Sequence, residues 1–283
     1  MNKKLNNVDY AEHKKQVIGL HREGKLKDIR FDENYFDVMK HSWLIDDYIA
    51  KFGWNDEDVF ENTLPAYKKA VKEGYPILIP VQMLDDGECI CFADQTLARV
   101  ADVSGYVTKM TITEVKEHKI KDTDCTIPAL KEALDTIQGK VPVIIDIYNV
   151  CNVGKMEEKV RDIIEEYIEK YNLLDSVAIM SLNPYSLQWF YQNAPWIPRI
   201  LRSGIFKVKK YANLSTRKLR KLKYRKVANA DYIAYNAKDL PCKYIKKHRP
   251  VGVLAYNVRS QEEYLNIAKY CDNIIFDSFK PEI

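Results

Sequence analysis

Short apolar runs alternate with amphipathic stretches along most of the chain. The β-rich runs fall at 17–20, 77–81, 143–148, 177–181, 199–202, 232–235, 251–256 and 273–277. Most are nearly continuous in apolar or β-branched residues, the pattern of strands covered on both faces. Between them, apolar positions recur at helical spacing over 63–73, 128–138, 155–171, 184–193, 215–223 and 260–270. Pro128 and Asn183-Pro184 are helix-start signals, because the N–H that proline lacks would be unpaired in a first turn anyway. This alternation predicts a parallel sheet with helices outside it. Eight such units in about 250 residues is the size of a (β/α)8 TIM barrel. A doubly wound open sheet would show the same periodicity. No linker rich in Gly, Ser or Pro divides the chain, so residues 1–283 read as one α/β domain.

The run 89–92 breaks the alternation. Asp86-Gly87 lies between two β-rich runs and is a hairpin-turn signal, on the expectation that both turn residues adopt positive φ. A β-hairpin is therefore predicted after the second strand, returning residues near 93 beside 78–80. Cys89 and Cys91 would share one face of it.

Composition narrows the class. The chain is 46% hydrophobic and 30% charged, as a globular protein with a sizeable core should be. No stretch approaches the ~20 apolar residues of a bilayer span. The first residues lack the apolar core of a signal peptide. Six cysteines without a C-x-x-C pair, and only five histidines, argue against a disulfide framework or structural zinc. They suit a reducing cytoplasm. The net charge of +4 is unevenly spread, since 207–226 carries Lys and Arg with no acid among them. Such a block attracts phosphate or an anionic surface, here through Lys218, Arg220 and Lys221. It can equally be the solvated face of a helix whose buried side is Leu214, Leu219 and Leu222. It lacks a nucleic-acid reading motif, so no nucleic-acid partner is expected.

Three segments carry the chemistry. They are Val17-Ile18-Gly19-Leu20-His21-Arg22, Glu61-Asn62-Thr63, and Val81-Gln82 running through Asp86-Gly87 to Ala93-Asp94. Together they resemble the active-site motifs of the glycerophosphodiester phosphodiesterase family: an apolar strand ending in His-Arg-Gly, an E-N-T helix start, and an E-x-D-V-Q…D-G…H-D hairpin. The resemblance implies His21 as general acid/base, Arg22 as a phosphate contact and Glu61 beside a divalent cation, calcium or magnesium. The segment 143–148 resembles the family's E-x-K strand, which makes Asp146 a carboxylate ligand and puts Tyr148 in place of a lysine, as a ligand-binding donor. Ser181-Leu182-Asn183-Pro184, Ala255-Tyr256-Asn257-Val258 and Asn273–Asp277 extend the likeness to the end of the chain. Three family positions are replaced: the two metal carboxylates fall on Leu78 and Pro80, and the second histidine on Ala93. Arg22 is then a natural ion-pair partner for Asp146 or Glu61.

The spacing departs from the family at one place. His21 and Glu61 lie forty positions apart, where the family has about ten. Residues 25–60, rich in aromatics, therefore read as an insertion after the first strand, serving as a lid, a partner surface or extra rim packing. The sequence supports three functions. One is a metal-dependent phosphodiesterase with a weakened site. Another is a non-catalytic binder of a small phosphodiester or phosphorylated ligand. The third is an interaction protein that uses the insertion.

Overall fold

The computed structural model describes residues 43–149, 152–173, 175–207, 210–211, 213–246 and 252–282. Its strands are β1 (Ile49–Lys51), β2 (Ile77–Met83), β3 (Cys89–Cys91), β4 (Val143–Ile147), β5 (Val177–Ser181), β6 (Arg199–Ser203), β7 (Lys210–Tyr211), β8 (Leu214–Ser215), β9 (Tyr232–Asn236), β10 (Gly252–Val258) and β11 (Asn273–Phe276). β1, β2, β4, β5, β6, β9, β10 and β11 pair in parallel, and β1 closes the ring by pairing with both β2 and β11. The architecture is a closed (β/α)8 barrel, which removes the open-sheet alternative.

Seven of the eight barrel strands coincide, within two residues at either end, with runs read from the sequence. The eighth needs a correction. The run 17–20 lies outside the described residues, and the position between β11 and β2 is filled by β1. β1 has three residues, too few for a periodicity signal. It lies inside the supposed insertion 25–60, of which 25–42 are outside the described residues. The aromatic side chains of the described part pack into the barrel instead of covering it. Trp43 and Phe52 belong to the barrel-interior cluster. Trp54 stacks at 5.5 Å on Tyr75 and 6.0 Å on Phe276.

Strand periodicity divides the core into two layers. Ile49, Leu78, Ile144, Ala178, Ile200, Ala234, Leu254 and Ile275 fill the barrel interior. The alternate residues, among them Ile79, Val81, Ile145, Ile147, Ile179 and Leu201, pack outward against helices Leu64–Glu73, Leu130–Ile137, Lys155–Tyr171 and Pro184–Asn193. No helix among the described residues is long and apolar enough to cross a membrane.

The hairpin β2–β3 forms as expected, with Val81 opposite Cys91 and Met83 opposite Cys89. Its turn differs in detail: Gly87 has φ +85°, whereas Asp86 keeps negative φ and accepts from the Glu88 and Ile112 amides. Both cysteines are buried, and burial pushes the Cys89 thiol up to about 12 and raises Cys91 as well, so neither is a reactive thiolate. Beyond β3, residues 92–127 build a small unit with its own core of Phe92, Leu97, Val100, Val107, Val115, Ile120 and Ile127. The sequence offered a signal for it that the strand and helix patterns left unused: a gap of this length is far longer than the 2–6 residues of an ordinary βα connection.

Candidate functional site at the barrel mouth

Side chains two apart on a strand share a face. The inward residues Ile49, Leu78, Ile144, Ile200, Leu254 and Ile275 therefore place Lys51, Pro80, Asp146, Arg202, Tyr256 and Asp277 one layer nearer the C-terminal ends of the strands. That end of a barrel is where βα connections gather functional groups.

Asp146 is fully buried there. Its carboxylate Oδ2 lies 3.0 Å from Arg202 Nη1. The same guanidinium donates to the Tyr148 hydroxyl at 2.7 Å and lies over the Tyr148 ring, 4.4 Å from its centroid. The contact to Asp146 is electrostatic without hydrogen-bond alignment: neither Asp146 oxygen nor Arg202 Nε has a hydrogen-bond partner among the described residues. Burial pushes the Asp146 carboxyl up to about 6, against the opposing pull of Arg202, Tyr148 and Lys51. Burial works against the Arg202 charge too, but Asp146, Tyr148 and Tyr256 outweigh it and raise the guanidinium. The Tyr148 hydroxyl is pushed up chiefly by burial and keeps its proton at neutral pH. On β1, Lys51 Nζ is 3.0 Å from Asp277 Oδ2, and Arg259 Nε is 3.3 Å from the same oxygen. Burial would raise Asp277; Lys51, Ser278 and Arg259 outweigh it and hold the carboxyl below its ordinary value.

A second charged group stands at the rim. Asn62 has φ +55° and donates its N–H to Phe52 O at 2.9 Å, while Thr63 caps helix Leu64–Glu73 by accepting from Ala66 N at 3.3 Å. This local geometry presents Glu61. Opposite it, the buried Gln82 amide donates to Phe92 O at 2.9 Å and Asp94 O at 2.7 Å, which pins the chain after β3. Arg99, from the small unit, bridges the two carboxylates with Nη2 at 2.5 Å from Glu61 and Nε at 2.6 Å from Asp94.

These residues do not fit a divalent cation. Calcium wants six or more oxygen ligands and magnesium an octahedron. Leu78 faces the apolar interior, and Pro80 sits directly beside Asp146 in the β2–β4 register, so neither contributes a side-chain oxygen. The carboxylates that remain, Asp146, Glu61 and Asp94, are each engaged by an arginine. Among the described residues no group of three or more His, Cys, Asp or Glu is gathered to hold a metal.

His21 and Arg22 lie outside the described residues. Lys51-Phe52-Gly53 ends β1 and precedes Glu61 by ten positions, the spacing the sequence comparison sought. Gly53 has φ +83°, and a Cβ there would meet the Ala66 carbonyl carbon at 2.8 Å. Among the described residues, Arg202 meets Asp146 and Arg99 meets Glu61, because the inward register of β6 and the small unit bring those arginines to the carboxylates. Ala93 sits against the barrel-interior cluster. Lys218, Arg220 and Lys221 belong to the connection that leaves the C-terminal end of β6, which is anchored where Ser203 Oγ donates to Leu219 O at 2.8 Å; Leu214, Leu219 and Leu222 are buried as expected, but only Leu219 lies on the helix, Thr216–Arg220. Lys218 and Arg220 are exposed. Arg202 was the residue missed. Its signal was a charge in the inward register of an apolar strand, opposite a carboxylate that needed one.

A family model for the glycerophosphoryl diester phosphodiesterase family matches residues 46–280. A glycerophosphodiester phosphodiesterase of Caldanaerobacter subterraneus subsp. tengcongensis is 32% identical over 151 residues, 50% of this chain and 60% of its own length. The uncharacterized protein YqiK of Bacillus subtilis is 29% identical over 155 residues, 51% of this chain and 62% of its own length. The chain thus spans about three-fifths of the length of these relatives. A phosphodiesterase of Oleispira antarctica, solved with the product sn-glycerol-3-phosphate, superposes with a TM-score of 0.67 at 19% identity, over 83% of this chain and 94% of that one. A glycerophosphodiester phosphodiesterase of Thermotoga maritima gives 0.57 at 16%, over 81% and 94%. At these identities the structural likeness is one of fold.

Proposed function

We propose, for a chain that belongs to the glycerophosphoryl diester phosphodiesterase family, that its barrel mouth binds a small phosphorylated ligand and hydrolyses phosphodiesters weakly or not at all by metal-dependent chemistry. Hydrolysis needs the phosphoryl charge neutralised and the leaving alkoxide protonated. A divalent cation supplies the first when carboxylates are free to hold it. The observation that carries the proposal is that the carboxylates named at the mouth are already met by cations: Arg202 on Asp146, Arg99 on Glu61 and Asp94, Lys51 and Arg259 on Asp277. Lys51, where the motif spacing places a histidine, is held in an ion pair with Asp277.

Binding needs less than turnover. Lys51 and Arg202 line the mouth, and Tyr148 adds a hydroxyl beside them. The basic connection carrying Lys218, Arg220 and Lys221 adds a field that draws anions toward the same end of the barrel. The thiols of Cys89, Cys91, Cys125 and Cys242 are not in disulfides, which supports a reducing compartment such as the cytoplasm.

The test is turnover of glycerophosphocholine and a chromogenic phosphodiester with calcium or magnesium, alongside calorimetric titration with sn-glycerol 3-phosphate. We expect binding without metal-dependent turnover above that of a His21→Ala control. Metal-dependent turnover abolished by His21→Ala would overturn the proposal and make His21 the acid/base of an active enzyme.

A further inference from the structure

The disagreement between this mouth and a divalent cation has a positive side. We infer that the Arg202 guanidinium is a tethered substitute for the cation, so that a phosphoryl group binds here with no metal at all. The inference rests on the mouth being a site for a phosphorylated ligand.

Position supports it first. Arg202 sits against Asp146, the inward carboxylate of β4, and Pro80 occupies the neighbouring inward position where a second oxygen donor would stand. The guanidinium therefore fills a place where a fully buried carboxylate demands positive charge. Pro80 costs the barrel nothing there. Leu78 O accepts from Phe52 N at 2.8 Å and Val81 O from Tyr148 N at 2.9 Å. Pro80, two on from Leu78, thus turns its missing N–H toward β1, beyond the end of the β1–β2 pairing at Lys51 and Leu78.

Charge supports it next. Lys51, Arg202 and Arg259 face Asp146 and Asp277, and Arg99 faces Glu61 and Asp94, so each of these carboxylates is already met by a cation. Donor capacity supports it last. A guanidinium has five N–H donors in a fork that matches phosphate oxygens. Arg202 gives one to Tyr148 through Nη1, and its side chain keeps 15% exposure.

The substitution has a chemical consequence. An arginine neutralises phosphoryl oxygens but does not turn a bound water into hydroxide at neutral pH, which is what a divalent metal adds. A tethered cation would therefore separate binding from hydrolysis.

The test is isothermal titration of the purified chain with sn-glycerol 3-phosphate and with inorganic phosphate, in EDTA and again in excess calcium. The inference expects wild-type affinities that agree within about twofold in the two buffers. It expects Arg202→Met to weaken both ligands in EDTA by at least about tenfold. Because Arg202→Met strands a buried carboxylate, Asp146→Asn/Arg202→Met is measured beside it and should be weakened to the same degree. Wild-type binding that requires calcium sinks the inference and leaves the binding proposal standing. Undiminished binding by the double variant sinks it too. Failure of the wild type to bind either ligand in either buffer removes the binding proposal itself.

Discussion

Two of the barrel's arginine–carboxylate groups, those of Arg99 and Arg202, differ in depth. At the rim, Arg99 makes two close, aligned contacts to Glu61 and Asp94, with its side chain 51% exposed. In the mouth, Arg202 reaches Asp146 at 3.0 Å without hydrogen-bond alignment, with the carboxylate fully buried. By contact geometry the rim group is the better one. By energetic consequence the order reverses. Water stands ready to replace either partner at the rim, and exposed pairs contribute about 0–1 kcal/mol. Nothing replaces Arg202 next to Asp146, so its removal leaves an uncompensated charge. Depth, more than contact quality, decides what an ion pair is worth.

The largest effect should come from breaking the deep pair on one side. Arg202→Met is expected to cost about 3–5 kcal/mol in urea unfolding, and Asp146→Asn/Arg202→Met should recover most of that loss because no charge is then buried. A double variant as unstable as the single one would mean that Arg202 matters for packing and not for charge.

Next in size is a pH effect. The Asp146 carboxyl is raised from 3.8 to about 6, chiefly by burial. Between those values the native state holds a proton that the unfolded state has lost. Stability attributable to this group is therefore complete at lower pH and falls as pH rises through about 4 to 6. We expect the unfolding free energy of the wild type, relative to the charge-free double variant, to drop by on the order of 2 kcal/mol across that window. A flat difference would show that Arg202 fully offsets the burial of Asp146.

The smallest effect belongs to the rim. Arg99→Gln should change stability by less than about 1 kcal/mol, and the difference should vanish at high salt. A larger, salt-insensitive loss would make the rim group a structural clamp between the small unit and the barrel, and erase the contrast with the mouth.

The sequence disclosed these regions unequally. Seven barrel strands are long enough for their apolar character to stand out, and Asp86-Gly87 marked the hairpin. β1 was invisible because Ile49-Ala50-Lys51 is shorter than any period it could display. Sequence pattern therefore places the first strand at 17–20 and leaves β1 inside residues 25–60. Pro80 and Leu78 were legible as replaced donors from their chemistry alone. The partner of Asp146 was not, because pairing across the barrel interior depends on which residue of β6 faces inward, and that is fixed by register and not by distance along the chain. Arg99 was hidden for a different reason: it lies in a unit whose short helices give weak periodicity, and it meets Glu61 from 38 positions further along the chain.

Gly53 has a consequence of its own. It is glycine because the chain turns with positive φ against the first helical turn, where any side chain would collide with Ala66. Asn62 and Gln82 are held by similar demands, one of dihedral angle and one of a buried amide with two carbonyls to serve. None of these three requirements mentions a phosphate. A signature motif is thus two messages written over each other, one addressed to the reaction and one to the backbone, and selection can erase the first while the second goes on being copied. When similarity to a family is judged by how many signature residues survive, the survivors that count toward an activity are those whose side chains would have no other employment.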